Sequence, residues 1–202
     1  MSIHSFFRSV NVFAARASAL AVISTAALAH PGHGSPGTAL FAGLSHPMTG
    51  LDHLYAMLAV GLWSALAHTT IRTALWTPIS FLCLLLTGSL LGSTGVFLPF
   101  IEPMIMASLL ILGLLIASRA SLPSWAGTAM VGFFALFHGL AHGSELPVGS
   151  NAAAFIAGFM MSTFALHVVG LAAGLTLKRR TSWLTRLAGA GIAFYGVSLF
   201  AS

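Results

Sequence analysis

From Gly50 onwards the chain is a succession of apolar runs broken by short polar, glycine- or proline-bearing joints. Six runs are long enough to cross a bilayer, over residues 50–68, 74–92, 101–118, 124–143, 152–175 and 183–201. A helix rises roughly 1.5 Å per residue, so about 20 apolar residues span the hydrocarbon core. The pattern predicts an all-α integral membrane protein with six transmembrane helices. A shorter apolar run, Ala17 to Leu28, follows Arg8 and Arg16 and ends in Ala27-Leu28-Ala29. A basic start, a short apolar middle and small residues at the end make residues 1–29 a cleavable signal peptide, with an uncleaved signal anchor as the alternative. Three segments follow: the signal at 1–29, an external histidine-bearing segment and helix mouth at 30–49, and the transmembrane domain at 50–202.

Composition agrees with the pattern. Of 202 residues, 57% are hydrophobic and 5% charged, and the mean hydropathy of +0.97 lies outside the range of soluble domains. The net charge of +5 does not mark a nucleic-acid partner, because the basic residues are few and scattered. The lipid bilayer explains their positions better. Beyond the signal, Arg72, Arg119, Lys178, Arg179, Arg180 and Arg186 all fall in or beside the joints after the first, third and fifth runs. By the positive-inside rule these joints are cytoplasmic, which places both termini of the mature chain outside, in the inner membrane of a bacterium. The three carboxylates, Asp52, Glu102 and Glu145, all lie toward the opposite, outer face. Cys83 stands alone in an apolar run, so no internal disulfide forms, and it reads as a small buried apolar residue. Gly139 with Gly143, and Gly170 with Gly174, give small pairs at which helix backbones approach closely. The first and fourth runs both carry histidines at their outer ends and cross in opposite directions, which hints at a three-plus-three inverted repeat.

The ionisable residues inside these runs carry the chemistry, since a polar side chain in hydrocarbon must pair internally or face a watery path. The first run opens HPMTGLDHLYAMLAVGLW, with His46, Asp52 and His53 at its mouth. Pro47 and Gly50 interrupt a helix, so the helix proper is expected to begin near Thr49 or Gly50 and to leave His46 on irregular backbone. Thr49 and Asp52, three apart, suit a capping arrangement. The fourth run ends FHGLAHGSELP, which puts His138, His142 and Glu145 at i, i+4 and i+7 on one helical stripe. His167 in the fifth run has only apolar neighbours on its own helix and is expected to face the bundle interior. His68, at the cytoplasmic end of the first run, reads as an interfacial residue or exit ligand, and Glu102 beside Pro103 as a partner of a helix dipole. In the N-terminal segment HPGHG, the free amine and imidazole of His30 could chelate a divalent ion with His33 adding a ligand; a flexible glycine- and proline-rich tail is the competing reading. Imidazole with carboxylate suits nickel, cobalt or zinc, whereas copper(I) would favour the thioethers of Met57, Met104, Met106, Met160 and Met161.

The three stretches HPMTGLDHLYAMLAVG, FHGLAHGSELP and FALHVVGLAAG resemble the motif regions of the HupE/UreJ family, accessory membrane proteins associated with nickel hydrogenases and ureases. The resemblance implies a secondary permease for nickel, in some members cobalt, with no enzymatic activity, no permanently bound cofactor, and a functional link to nickel-enzyme maturation. It also implies that His46, Asp52, His53, His138, His142 and Glu145 are the essential polar residues. Members often carry a further histidine where this chain has Leu140, a departure that bears on ligand number. No nucleotide-binding motif is present, so transport would draw on a gradient or on intracellular trapping of the metal. Two other classes fit the histidines: an intramembrane zinc hydrolase using His138, His142 and a carboxylate, and a b-type haem protein with paired axial histidines.

Overall fold

A computed structural model describes residues 35–146, 151–180 and 182–201. The expected signal and His30 and His33 lie outside these residues. The described chain is all helical: α1 (Pro36–Ser45), a 3-10 turn (His46–Met48), α2 (Leu51–Ala67), α3 (Ile71–Ser93), α4 (Ile101–Ser118), α5 (Ser124–Ser144), α6 (Ala152–Arg180) and α7 (Ser182–Leu199). Helices α2 to α7 fall on the six apolar runs with ends shifted by a few residues. Of them, α3, α4, α5 and α6 are each long and apolar enough to cross a membrane, and α1 with α2 would form a fifth, bent span. Large apolar side chains stand exposed along these helices, Phe133, Phe164, Leu187 and Phe194 among them. Such surface is tolerated in lipid and not in water; the chain is a multi-pass membrane protein.

Helix α1 is an addition to the sequence reading, which put no helix before Gly50. Ser35 caps it by accepting a hydrogen bond from the Thr38 amide at 3.3 Å, and Pro36 occupies its first turn, where a missing N–H costs nothing. Pro36 and Gly37, expected in a tail, are therefore helical. The path then turns by 78° between α1 and α2. Pro47 sits in the 3-10 turn and Gly50 is extended (φ −112°, ψ 122°), so the two residues expected to break the helix do so. The expected cap by Thr49 is not formed. Its hydroxyl donates instead to the His46 carbonyl at 2.7 Å, which fixes the turn, and Gly50 occupies the cap position of α2.

Helix pairs are set by glycine. Gly88 and Gly92 on α3 face Gly139 and Gly143 on α5, close enough that a Cβ on Gly139 would stand 2.9 Å from the Gly88 Cα. Gly61 on α2 and Gly170 on α6 bring those two backbones together in the same way, and Gly43 and Gly158 join α1 to α6. The most extensive pairings are α3 with α5, α4 with α7 and α2 with α6. Exchanging α2–α4 for α5–α7 maps this set onto itself. Pro78 inside α3 cannot donate to the Ala74 carbonyl, and the Ser64 hydroxyl of α2 does so instead. Cys83 is corrected by the structure: it is exposed on α3 and meets lipid, because its helix turns the glycine face inward.

Candidate metal path

The pairing of α2 with α6 and of α5 with α3 brings five histidines, from α2, α5, α6 and the 3-10 turn, into one interior row. At its open end the 78° turn swings His46 over the end of α5, where its Nε2 lies 2.9 Å from His142 Nδ1 and 3.4 Å from Glu145 Oε2. His142 Nδ1 is 3.8 Å from the same carboxylate oxygen. These three donors all lie within 4.8 Å of one another, near enough that small side-chain movements would close them on one cation. The hydrogen bond to His46 and the charge that ring can carry hold the Glu145 carboxyl below the usual carboxylate range, against partial burial.

Beneath this group lies His53, whose ring centroid is 4.3 Å from that of His142 and 5.5 Å from that of His138. Asp52 Oδ1 stands 3.0 Å from His53 Nδ1, and Gly50 makes room for the pair, since a Cβ there would come within 2.7 Å of that oxygen. His138 is fully buried and its Nδ1 donates to the Phe134 carbonyl at 3.0 Å. Deeper still, His167 is buried as expected, and its Nδ1 donates to the Met57 carbonyl at 2.9 Å. That bond crosses from α6 to α2 beside the Gly61 contact. In both rings a carbonyl claims the Nδ1 proton and leaves Nε2 as a bare acceptor. The Nε2 atoms of His53, His138, His142 and His167 are buried without a partner.

Six of the predicted residues, His46, Asp52, His53, His138, His142 and Glu145, thus meet at one end of the bundle, and His167 continues the row inward. His68 is apart from them at the far end of α2. It is buried with Nδ1 donating to the Ser64 carbonyl, beside a cavity of about 250 Å³ that Lys178 also lines. Glu102, in the first turn of α4, is exposed. Aromatic walls went unread in the sequence: Phe155 and Phe159 lie against His46, and Phe159 against His142. Phe81 of α3 touches both His138 and His167, at 5.8 and 4.8 Å between centroids. Nothing separates these from the other phenylalanines in a chain with 15 of them.

A helical membrane bundle with a buried histidine row and a carboxylate at its mouth is, as a class, a multi-pass membrane protein with an ionisable interior. The comparisons are more specific. The model of the family described as HupE / UreJ protein matches residues 18–199, and the Protein HupE of Rhizobium leguminosarum bv. viciae is 39% identical over 182 residues, covering 89% of this chain and 94% of that one. The chain belongs to the HupE/UreJ family. No solved structure matches it.

Proposed function

We propose that the chain is a secondary permease that imports nickel, or cobalt, across the cytoplasmic membrane for the maturation of nickel enzymes. The observation that carries this reading is the row of imidazoles from His46 to His167, in which the Nε2 atoms of His53, His138, His142 and His167 are buried and unpartnered. Several bare acceptors in a dry interior are costly unless something binds them, and imidazole with carboxylate suits a borderline divalent ion. Six spans with external termini agree with the placement of lysine and arginine, and a further support is structural: Trp76, Trp125 and Trp183 are exposed at the ends of α3, α5 and α7 nearest those basic residues, where an aromatic belt meets the interface. His30 and His33 would raise the metal concentration at the mouth. An intramembrane hydrolase would need a substrate crevice open to its metal. One open crevice of about 750 Å³ between α2, α6 and α7 is instead lined mostly by apolar residues such as Leu58, Leu62, Leu187 and Ile192, with Tyr55 and Tyr195, and by no histidine. Imidazoles stacked at 4.3 to 5.5 Å leave no space for a haem between them.

Accumulation of radiolabelled nickel by cells expressing the chain tests the proposal. His53→Ala and His138→Ala should each remove most of the uptake with the protein still in the membrane, and His68→Ala should have a smaller effect. Normal uptake in His53→Ala, or equal losses at all three positions, would count against the path.

A further inference from the structure

The outer group of His46, His142 and Glu145 engages His142 through Nδ1 only. The other nitrogen of that ring, Nε2, is buried, has no partner, and belongs to a ring packed on His53. His53 in turn packs on His138. An acceptor stands at each Nδ1 of these two rings, the Asp52 carboxylate and the Phe134 carbonyl, both at 3.0 Å. Each ring therefore keeps its proton there and presents Nε2 as a lone pair. An acceptor behind the imidazole is also how proteins orient histidines that ligate metals. Three unpartnered Nε2 atoms on adjacent rings, with no donor to share, call for a cation.

We propose that His53, His138 and His142 form a second, enclosed divalent-cation site, and that His142 is shared by the two sites, through Nδ1 outside and Nε2 inside. This rests on the permease reading above and deepens it. A neutral imidazole carries one proton on its two nitrogens, so one of them is bare at a time. An ion on Nδ1 puts the proton on Nε2, and an ion on Nε2 puts it on Nδ1, where His46 Nε2 at 2.9 Å and Glu145 Oε2 at 3.8 Å can accept it as a hydrogen bond. His142 thus admits an ion to the outer or the inner site and not to both. Hand-over requires one proton to move from Nε2 to Nδ1 of His142 through water carried in with the ion, so that no proton is gained or lost and the charge of the ring is unchanged.

Cobalt(II) titrated into the purified full chain in detergent is the probe, its ligand-field absorption reporting the donor set. With His30 and His33 both replaced by alanine throughout, which removes the tail's donors, the otherwise unchanged chain should bind one ion. His46→Ala with Glu145→Gln, which removes only outer donors, should still bind one ion, with an all-nitrogen spectrum. His138→Gln should bind one with a mixed nitrogen and carboxylate spectrum, and adding His142→Ala to either background should weaken binding by at least about tenfold. Two ions per chain with only His30 and His33 replaced would overturn the sharing of His142, and loss of binding in the outer double variant with helix content intact, or no effect of His142→Ala in either background, would overturn the second site. If the double variant fails to fold, His46→Asn with Glu145→Gln repeats the measurement with a smaller change. Nickel uptake by cells carrying each variant separates the two claims. Uptake without inner binding sinks the second site alone, and binding at both sites without uptake in wild type sinks the permease reading alone.

Discussion

At the scale of single residues, the site is a problem of lone pairs and who claims their protons. The carboxyl of Glu145 is held below the ordinary carboxylate range by His46, so it stays ionised while ordinary imidazoles protonate near pH 6.5. Metal binding at the mouth should therefore fall as pH drops through the imidazole range, because a protonated ring has no lone pair to give. Glu145→Gln should lower affinity at pH 7.5 and leave a fall with acid in place, because the imidazoles still protonate. Nickel titrations at several pH values check this, and binding that lost its pH dependence in Glu145→Gln would show that the carboxylate and not the imidazoles sets it. Much of this group was legible in the sequence, since i, i+4, i+7 spacing on α5 aligns His138, His142 and Glu145 whatever surrounds them. What closes the group was not. The approach of His46 to His142 depends on a contact across 96 residues, and no local pattern encodes a pairing of that range.

At the scale of elements, backbone satisfaction and close approach decide which helices meet. Ser64 supplies the hydrogen bond that Pro78 takes from the Ala74 carbonyl. Ser64→Ala leaves that buried acceptor unpaired and should cost about 1–3 kcal/mol, read as a lower melting temperature of the detergent-solubilised protein, with Ser64→Thr closer to wild type. Glycine contacts give a second prediction with its own control. Gly139→Ala places a methyl against the backbone of α3, whereas a Cβ at Gly191 meets nothing within 4 Å. The first should lower the melting temperature and weaken metal binding, because separating α3 from α5 moves His138; the second should change neither. Periodicity and length were enough to locate α2 to α7, as each is an apolar run of helical length bounded by polar, glycine or proline joints. They did not reveal α1, whose ten residues look like a linker because Pro36 and Gly37 open it. Its stability comes from the Ser35 cap and from packing of Gly43 against α6, contacts that only the fold supplies.

For the whole molecule, import through the histidine row requires that the end bearing His46 and Glu145 faces outward and that the row conducts. In a Cys83→Ser background, needed because Cys83 is exposed, cysteines placed at Ser35 or Val96 should react with an impermeant maleimide in intact spheroplasts. One placed at Ser121 should not. Labelling at Ser121 without permeabilisation would invert the orientation. The central claim, that the histidine row itself carries the ion, is tested most directly by the purified chain in liposomes that trap a nickel-sensitive dye. A conducting row gives a saturable nickel influx in wild type that is lost in His142→Ala and in His138→Gln, while empty liposomes show no flux and liposomes holding His68→Ala keep a substantial one. Nickel influx that persists at the wild-type rate in both His142→Ala and His138→Gln would contradict it.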